Sequence, residues 1–268
     1  MSPPAQATGA LCDRVAGDDE RSLAAISSPA VPTLPTFQIA HPEALAPSSA
    51  ALLARLAAPL AEAELYLAGS AALALYLGHR RVRDLDLMAI ANRLTSPERR
   101  DLLQALLAAT PGIEVETARD GFLAMRGPGQ GGEPGPALRL YYYPYPLVDA
   151  AREHAGVEVA SPLDLGLMKL GAIISRGSRR DFVDLYLLAR RLPLAELLAA
   201  AADKFGHVGD FPLQALKGLA DTSEVEGEPM PELAAPLAWD EVERWLDASV
   251  RELGAAHVGV GATSGGAS

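Results

Sequence analysis

Apolar residues recur at helical spacing over residues 48–60, which predicts a helix with Ser48 or Ser49 as its N-cap. A short apolar strand follows over 65–68 and closes at Gly69-Ser70. Residues 71–77 predict a second helix, ended by Gly78. Past a basic stretch at 79–83, residues 84–90 read Asp-Leu-Asp-Leu-Met-Ala-Ile. They alternate and then turn fully apolar, the pattern of a buried strand. Ser96-Pro97 opens a helix to residue 109, with proline where a missing N–H costs nothing. Two strands, 113–117 and 122–126, join at Arg119-Asp120-Gly121, a hairpin signal. A Gly/Pro loop over 127–136 leads to a strand over 138–143, which Pro144 and Pro146 end.

From Ser161 onward the periodicity is helical only. Ser161-Pro162 caps a helix to about residue 175, and further helices are predicted over 181–191, 193–204, 212–219 and 239–253. A mixed half followed by a helical half predicts an α+β fold rather than alternating βαβ units. Residues 1–47 are rich in Pro, Ser and Ala without a sustained period, and residues 254–268 are mostly Gly, Ala and Ser. The expected organisation is a disordered leader over 1–47, an α/β core over 48–160, a helical region over 161–253 and a flexible tail over 254–268.

Composition narrows the function classes. Of 268 residues, 49% are hydrophobic and 21% charged, which suits a globular chain and excludes a mainly disordered one. The single cysteine, Cys12, excludes an internal disulfide framework and a Cys-rich zinc site. The apolar run at 65–78 is too short to span a bilayer, and no basic-then-apolar segment opens the chain, so a cytoplasmic protein without a membrane partner is expected. Net charge is −11, from 34 acids against 23 bases, so bulk attraction to nucleic acid is weak. The bases are almost all arginine, with only Lys169, Lys204 and Lys217 as lysines, and arginine suits forked contacts to phosphate or carboxylate.

Three groups of residues carry candidate chemistry. Gly69-Ser70, between a strand and a helix, would present free N–H groups and a hydroxyl to a phosphate, although such pairs more often form only a tight, capped turn. Asp84 and Asp86, two apart on a strand, point to one face and repel unless a cation lies between them, which reads equally as an arrangement suited to Mg²⁺ and a triphosphate or as two solvated carboxylates on an edge strand. Lys169 lies on an apolar helix and needs an anionic partner; Asp181 and Asp184 share a face of the next helix. That last group reads equally as a pin between two helices or as a phosphate-directed lysine held by an aspartate. The five histidines show no metal spacing, and His79 reads as part of the turn into the acidic strand. The tyrosines at 141–143 and 145 read as a half-buried strand entering a turn more readily than as a base-stacking platform.

The order of these pieces adds to each of them. LAGSAALALYLGHRRVRDLDLMA, then LRLYYYPYPL, then LMKLGAIISRGSRRDFVDLYLLAR, resembles the AbiEii/AbiGii-type nucleotidyltransferase family, toxin components of bacterial abortive-infection and toxin–antitoxin systems. The resemblance runs from about Leu65 to Trp245 and includes Ala215–Asp221, Met230-Pro231 and Trp239-Asp240. It implies a DNA polymerase β-like nucleotidyltransferase fold: a mixed sheet with flanking helices, followed by a C-terminal helical region. It also implies roles. Gly69 and Ser70 would hold the triphosphate of an NTP, with Arg80 in the basic position before the acidic pair. Asp84 and Asp86 would bind catalytic Mg²⁺. Lys169 would contact the nucleotide, and Asp181, with Asp184, would complete the lysine motif.

Relatives of this kind transfer a nucleotide, some of them onto tRNA, or bind GTP, and a cognate antitoxin is the implied partner. Two positions depart from the pattern. Val82 stands where the family usually has Ser or Thr, and the strand at 138–143 lacks the third carboxylate that would activate an attacking hydroxyl. Glu114 and Glu116, on an earlier strand, are candidate substitutes. The expected activity is metal-dependent nucleotidyl transfer. The alternatives are a nucleotide- or partner-binding protein without transfer, and a nucleotidyltransferase acting on a small, antibiotic-like acceptor.

Overall fold

The structure, a computed structural model, describes residues 35–129 and 131–263. Among the described residues, seven strands form one mixed sheet: β1 (Tyr66–Ala68), β2 (Leu85–Ala89), β3 (Glu114–Arg119), β4 (Phe122–Arg126), β5 (Ala137–Tyr142), β6 (Arg152–His154) and β7 (Val157–Val159). Their order across the sheet is β3-β4-β5-β2-β1-β7-β6. The central strand β2 runs antiparallel to β1 and parallel to β5, while β7 pairs in parallel with β1. Eight α-helices accompany them among the described residues: α1 (Pro47–Glu62), α2 (Gly69–Leu77), α3 (Ser96–Ala109), α4 (Pro162–Arg176), α5 (Arg179–Ala189), α6 (Leu194–Phe205), α7 (Phe211–Ala220) and α8 (Trp239–Thr263). The chain is α+β, with a mixed sheet first and helices after it.

Helix α2 explains much of the packing. Ala71 through Tyr76 are all buried, so the helix has no solvent face. Its alanines let it lie close to β2 on one side and to α4 on the other. Gly78 ends it in the left-handed region, at φ +62°. Strand β2 is buried at Leu85, Leu87 and Ala89, and half-buried at Asp86 and Met88, as alternation requires. Buried residues from Phe37 to Leu246 form one contiguous core, which includes both the sheet and the helical region.

Several expectations need correction. Ser49 is not an N-cap: the cap position of α1 is Ala46, and the buried Ser49 hydroxyl donates to the Arg83 carbonyl. The expected leader reaches too far, since Phe37, Ala44 and Leu45 are buried, and Leu45 bridges Val82; residues 1–34 lie outside the described residues. The expected tail starts too early, because α8 continues to Thr263; residues 264–268 lie outside the described residues. The hairpin β6–β7 was not foreseen. Its loop residues Ala155 and Gly156 both have positive φ, at 53° and 79°, as a two-residue primed turn demands. Asn or Asp would have announced that turn; alanine does not.

Candidate active site

Strands β2 and β5 set the first half of the site. Their parallel register places Asp86 beside Arg139. The Arg139 guanidinium donates to Asp84 Oδ2 at 3.2 Å and to Asp86 Oδ1 at 3.4 Å. The Ala137 backbone N–H also donates to Asp84 Oδ1, at 3.2 Å. Asp84 and Asp86 thus share one face, as their spacing predicts, with a cation of the chain already between them. Gly69 closes the other side. It has φ +61°, and a Cβ there would lie 3.0 Å from Asp86 Oδ2. Both the backbone conformation and the approach of the carboxylate require glycine.

The second half is centred on Asp184, which is fully buried on α5. Lys169 Nζ, from α4, lies 2.8 Å from Asp184 Oδ2, and it donates to Asp181 Oδ1 at 2.8 Å and to Ser70 Oγ at 3.3 Å. Ser70, in the first turn of α2, donates its own hydroxyl to Asp184 Oδ2 at 3.0 Å. Arg80 makes a forked pair with the same carboxylate, both bonds at 3.0 Å. His79 Nε2 is 2.9 Å from Asp184 Oδ1. A carboxylate only accepts, so the proton of that contact is on Nε2. Asp181 is held in turn by the Ser178 N–H and hydroxyl at the start of α5.

These contacts decide the charge states. Burial would push Asp184 upward, but Lys169, His79 and Arg80 outweigh it and hold the carboxyl well below the usual carboxylate range. Asp181 is lowered as well, because Lys169 and Ser178 outweigh its burial. Burial would lower Lys169, yet Asp184 and Asp181 raise it overall, so the ammonium stays charged. Asp86 goes the other way. Its burial, reinforced by the Asp84 charge, exceeds what Arg139 and Lys169 give back, and its carboxyl is raised.

Both halves open on one cleft of about 860 Å³. Gly69, Ser70, Asp84, Asp86, Arg139 and Lys169 form its polar end. Tyr141, Tyr143, Tyr145, Phe205 and Phe211 line the rest, with exposed Arg176 and Arg180 at its edge. Tyr145 stacks on His207 at 5.2 Å between ring centroids, and Phe205 on Phe211 at 4.3 Å. The tyrosine strand is half-buried, as its alternation predicts, and it also walls the cleft.

Hard oxygen donors at Asp84 and Asp86 fit Mg²⁺, which is commonly held by one or two carboxylates together with substrate phosphates. Among the described residues no three or more His, Cys, Asp or Glu side chains are grouped so as to hold a metal alone.

Residues 51–243 match the family described as nucleotidyl transferase AbiEii toxin, Type IV TA system. The chain belongs to this AbiEii nucleotidyltransferase family. An uncharacterised protein of Aquifex aeolicus (strain VF5) is 30% identical over 122 residues, which are 44% of this chain and 57% of that protein. Two Helicobacter pylori crystal structures are similar at low identity. JHP933 shares 16% identity at a TM-score of 0.45, over 81% of this chain and 96% of that one. A putative nucleotidyltransferase shares 18% at 0.46, over 75% and 91%. Among the described residues no helix is long and apolar enough to cross a membrane.

All eight residues expected at the AbiEii-type site lie around this cleft or in the network behind it. Gly69, Ser70, Arg80, Asp84, Asp86, Lys169 and Asp181 line it, while Asp184 is enclosed behind Ser70 and Lys169. Of the arginines at positions 80, 81, 83, 176, 179 and 180, not all are free to meet an anionic acceptor. Arg80 is committed to Asp184. Arg179 is buried, donating to the Glu226 carbonyl at 2.6 Å and lying 4.5 Å over the Trp239 ring. Glu114 and Glu116 do not reach the site. They lie on edge strand β3, with β4 and β5 between it and β2. Two participants went unforeseen. His79 carried no spacing signal. Arg139 carried one: it stands on the cleft-facing period of the strand that lacks an acid.

Proposed function

We propose that the chain is a metal-dependent nucleotidyltransferase that moves a nucleoside monophosphate from an NTP to an acceptor hydroxyl. The observation that carries the reading is the convergence of the α2 start, the Asp84–Asp86 pair and the Lys169 network on one cleft. The N–H groups at Gly69 and Ser70 would take the triphosphate, aided by the helix dipole. Asp84 and Asp86 would hold Mg²⁺, which supplies neutralisation of phosphate charge when bound. Lys169 keeps its ammonium and orients Ser70, and Asp184 keeps both in place. The acceptor hydroxyl attacks the α-phosphorus and releases its proton to solvent water, the bond to the bridging oxygen breaks, and pyrophosphate leaves with its electron pair.

tRNA is the acceptor proposed first, and the chain is proposed as the toxin of a toxin–antitoxin pair with an antitoxin partner. A second reading, nucleotide binding without transfer, draws support from strand β5, which carries no acid on the face of Asp84 and Asp86. Transfer of label from each α-³²P-NTP onto total tRNA, with Mg²⁺ and with Asp86→Ala beside the wild type, separates them. Label that disappears in the variant supports transfer and identifies the nucleotide. No label from any NTP, despite measurable NTP–Mg²⁺ binding, overturns tRNA transfer and leaves a small-molecule acceptor or a binding role.

A further inference from the structure

Strand β5 turns three positions toward the face that carries Asp84 and Asp86: the buried Ala137 and the half-buried Arg139 and Tyr141, since its alternate residues Leu138 and Leu140 are fully buried on the other side. A third carboxylate on this strand would have to stand at one of these three. At the middle one stands a guanidinium in contact with both aspartates, at 3.2 and 3.4 Å. We propose that Arg139 is the resident second cation of this centre, so that the aspartate pair takes one divalent ion where a three-carboxylate centre would take two. The proposal rests on the reading of Asp84 and Asp86 as the metal-binding pair.

Charge counting supports it. Lys169 and Arg80 are balanced by Asp181 and Asp184 within their own network, so they lend the pair little net charge. Asp84, Asp86 and Arg139 together carry −1. Three carboxylates would carry −3. A net −1 suits one divalent ion completed by phosphate oxygens, and it is a poor trap for two. Arg139 is also the group that the incoming ion must share its ligands with. Both its contacts are longer than the 2.8 Å contacts of Lys169. About a third of its side chain is exposed, so it can slide along the carboxylates rather than leave them.

The consequence is metal loading that depends on the nucleotide: in its absence, Arg139 already satisfies the pair. The test is Mn²⁺ titration of the nucleotide-free protein, read by the electron paramagnetic resonance of unbound Mn²⁺. Wild type, Arg139→Lys, Arg139→Gln and Arg139→Glu are compared, with Asp86→Ala assigning the bound ion to the pair and thermal unfolding confirming that each variant folds. The expected result is at most one weak ion in wild type and in Arg139→Lys. In Arg139→Gln the affinity rises at least tenfold, and in Arg139→Glu a second ion appears. Equal affinity in wild type and Arg139→Gln overturns the proposal, as do two ions in wild type that Asp86→Ala removes. This outcome is independent of label transfer. The expected Mn²⁺ pattern without transfer keeps Arg139 as the cation and loses the transferase reading; transfer with two ions in wild type does the reverse.

Discussion

Asp184 and Asp86 are both acids near one cleft, yet their surroundings give them opposite duties. Asp184 answers three cationic or N–H-bearing side chains without solvent. Its loss leaves buried charge unpaired, so Asp184→Asn is expected to cost about 3–5 kcal/mol in denaturant unfolding. Asp86→Ala, at the cleft, is expected to change stability by less than about 1 kcal/mol. Comparable costs for the two would refute this division. The pH dependence follows from the same contacts. The lowered Asp184 and Asp181 contribute stability above the ordinary carboxylate range, and it is lost as pH falls through their depressed values. The raised Lys169 contributes below its ordinary value, and that share is lost only as pH rises beyond it. The melting temperature should therefore fall at acid pH, with a shallower acid limb in Asp184→Asn. Gly69→Ala should cost about 1–3 kcal/mol from its left-handed φ alone. It should also weaken nucleotide binding by displacing Asp86, which calorimetric titration would register.

At the scale of elements, the buried pair Lys204–Asp164 joins α6 to α4 at 2.8 Å. Asp164 also accepts the Val148 and Asp149 N–H groups, and Lys204 donates to the Pro146 carbonyl, so the pair fixes the chain just after the cleft tyrosines. Lys204→Met alone is expected to destabilise by about 3 kcal/mol or more. Lys204→Met with Asp164→Asn should recover part of that, and a strictly additive double mutant would argue against coupling. Most elements were legible because their periods were long and their punctuation explicit, as at Ser96-Pro97 and Ser161-Pro162. The β6–β7 hairpin was not, because three-residue strands give no period and Ala155-Gly156 gives no turn signal. The site was legible where chemistry is local, as in Asp84-x-Asp86. Contacts spanning a hundred residues, such as His79 to Asp184, leave no mark in spacing. Arg139 could have been read by asking which residue of the acid-free strand faces the aspartate pair.

Across the whole molecule, a net charge of −11 opposes a polyanionic acceptor, and exposed arginines such as Arg176 and Arg180 at the cleft offset it locally. On the proposed reading with tRNA as acceptor, its binding should weaken steeply as salt rises from about 50 to about 200 mM, and Arg176→Ala with Arg180→Ala should flatten that slope. A slope unchanged by the double variant would move the acceptor elsewhere. The sheet and its network also have a temporal meaning. Strand β1 pairs in parallel with β7, some ninety residues later in the chain, and the first turn of α2 is completed by a carboxylate at position 184. During synthesis, the glycine-serine turn and the aspartate pair leave the ribosome long before the groups that lock them. A nascent chain therefore carries the residues of the site without their arrangement until α5 has emerged, and a chain ending before α5 should hold no nucleotide at all.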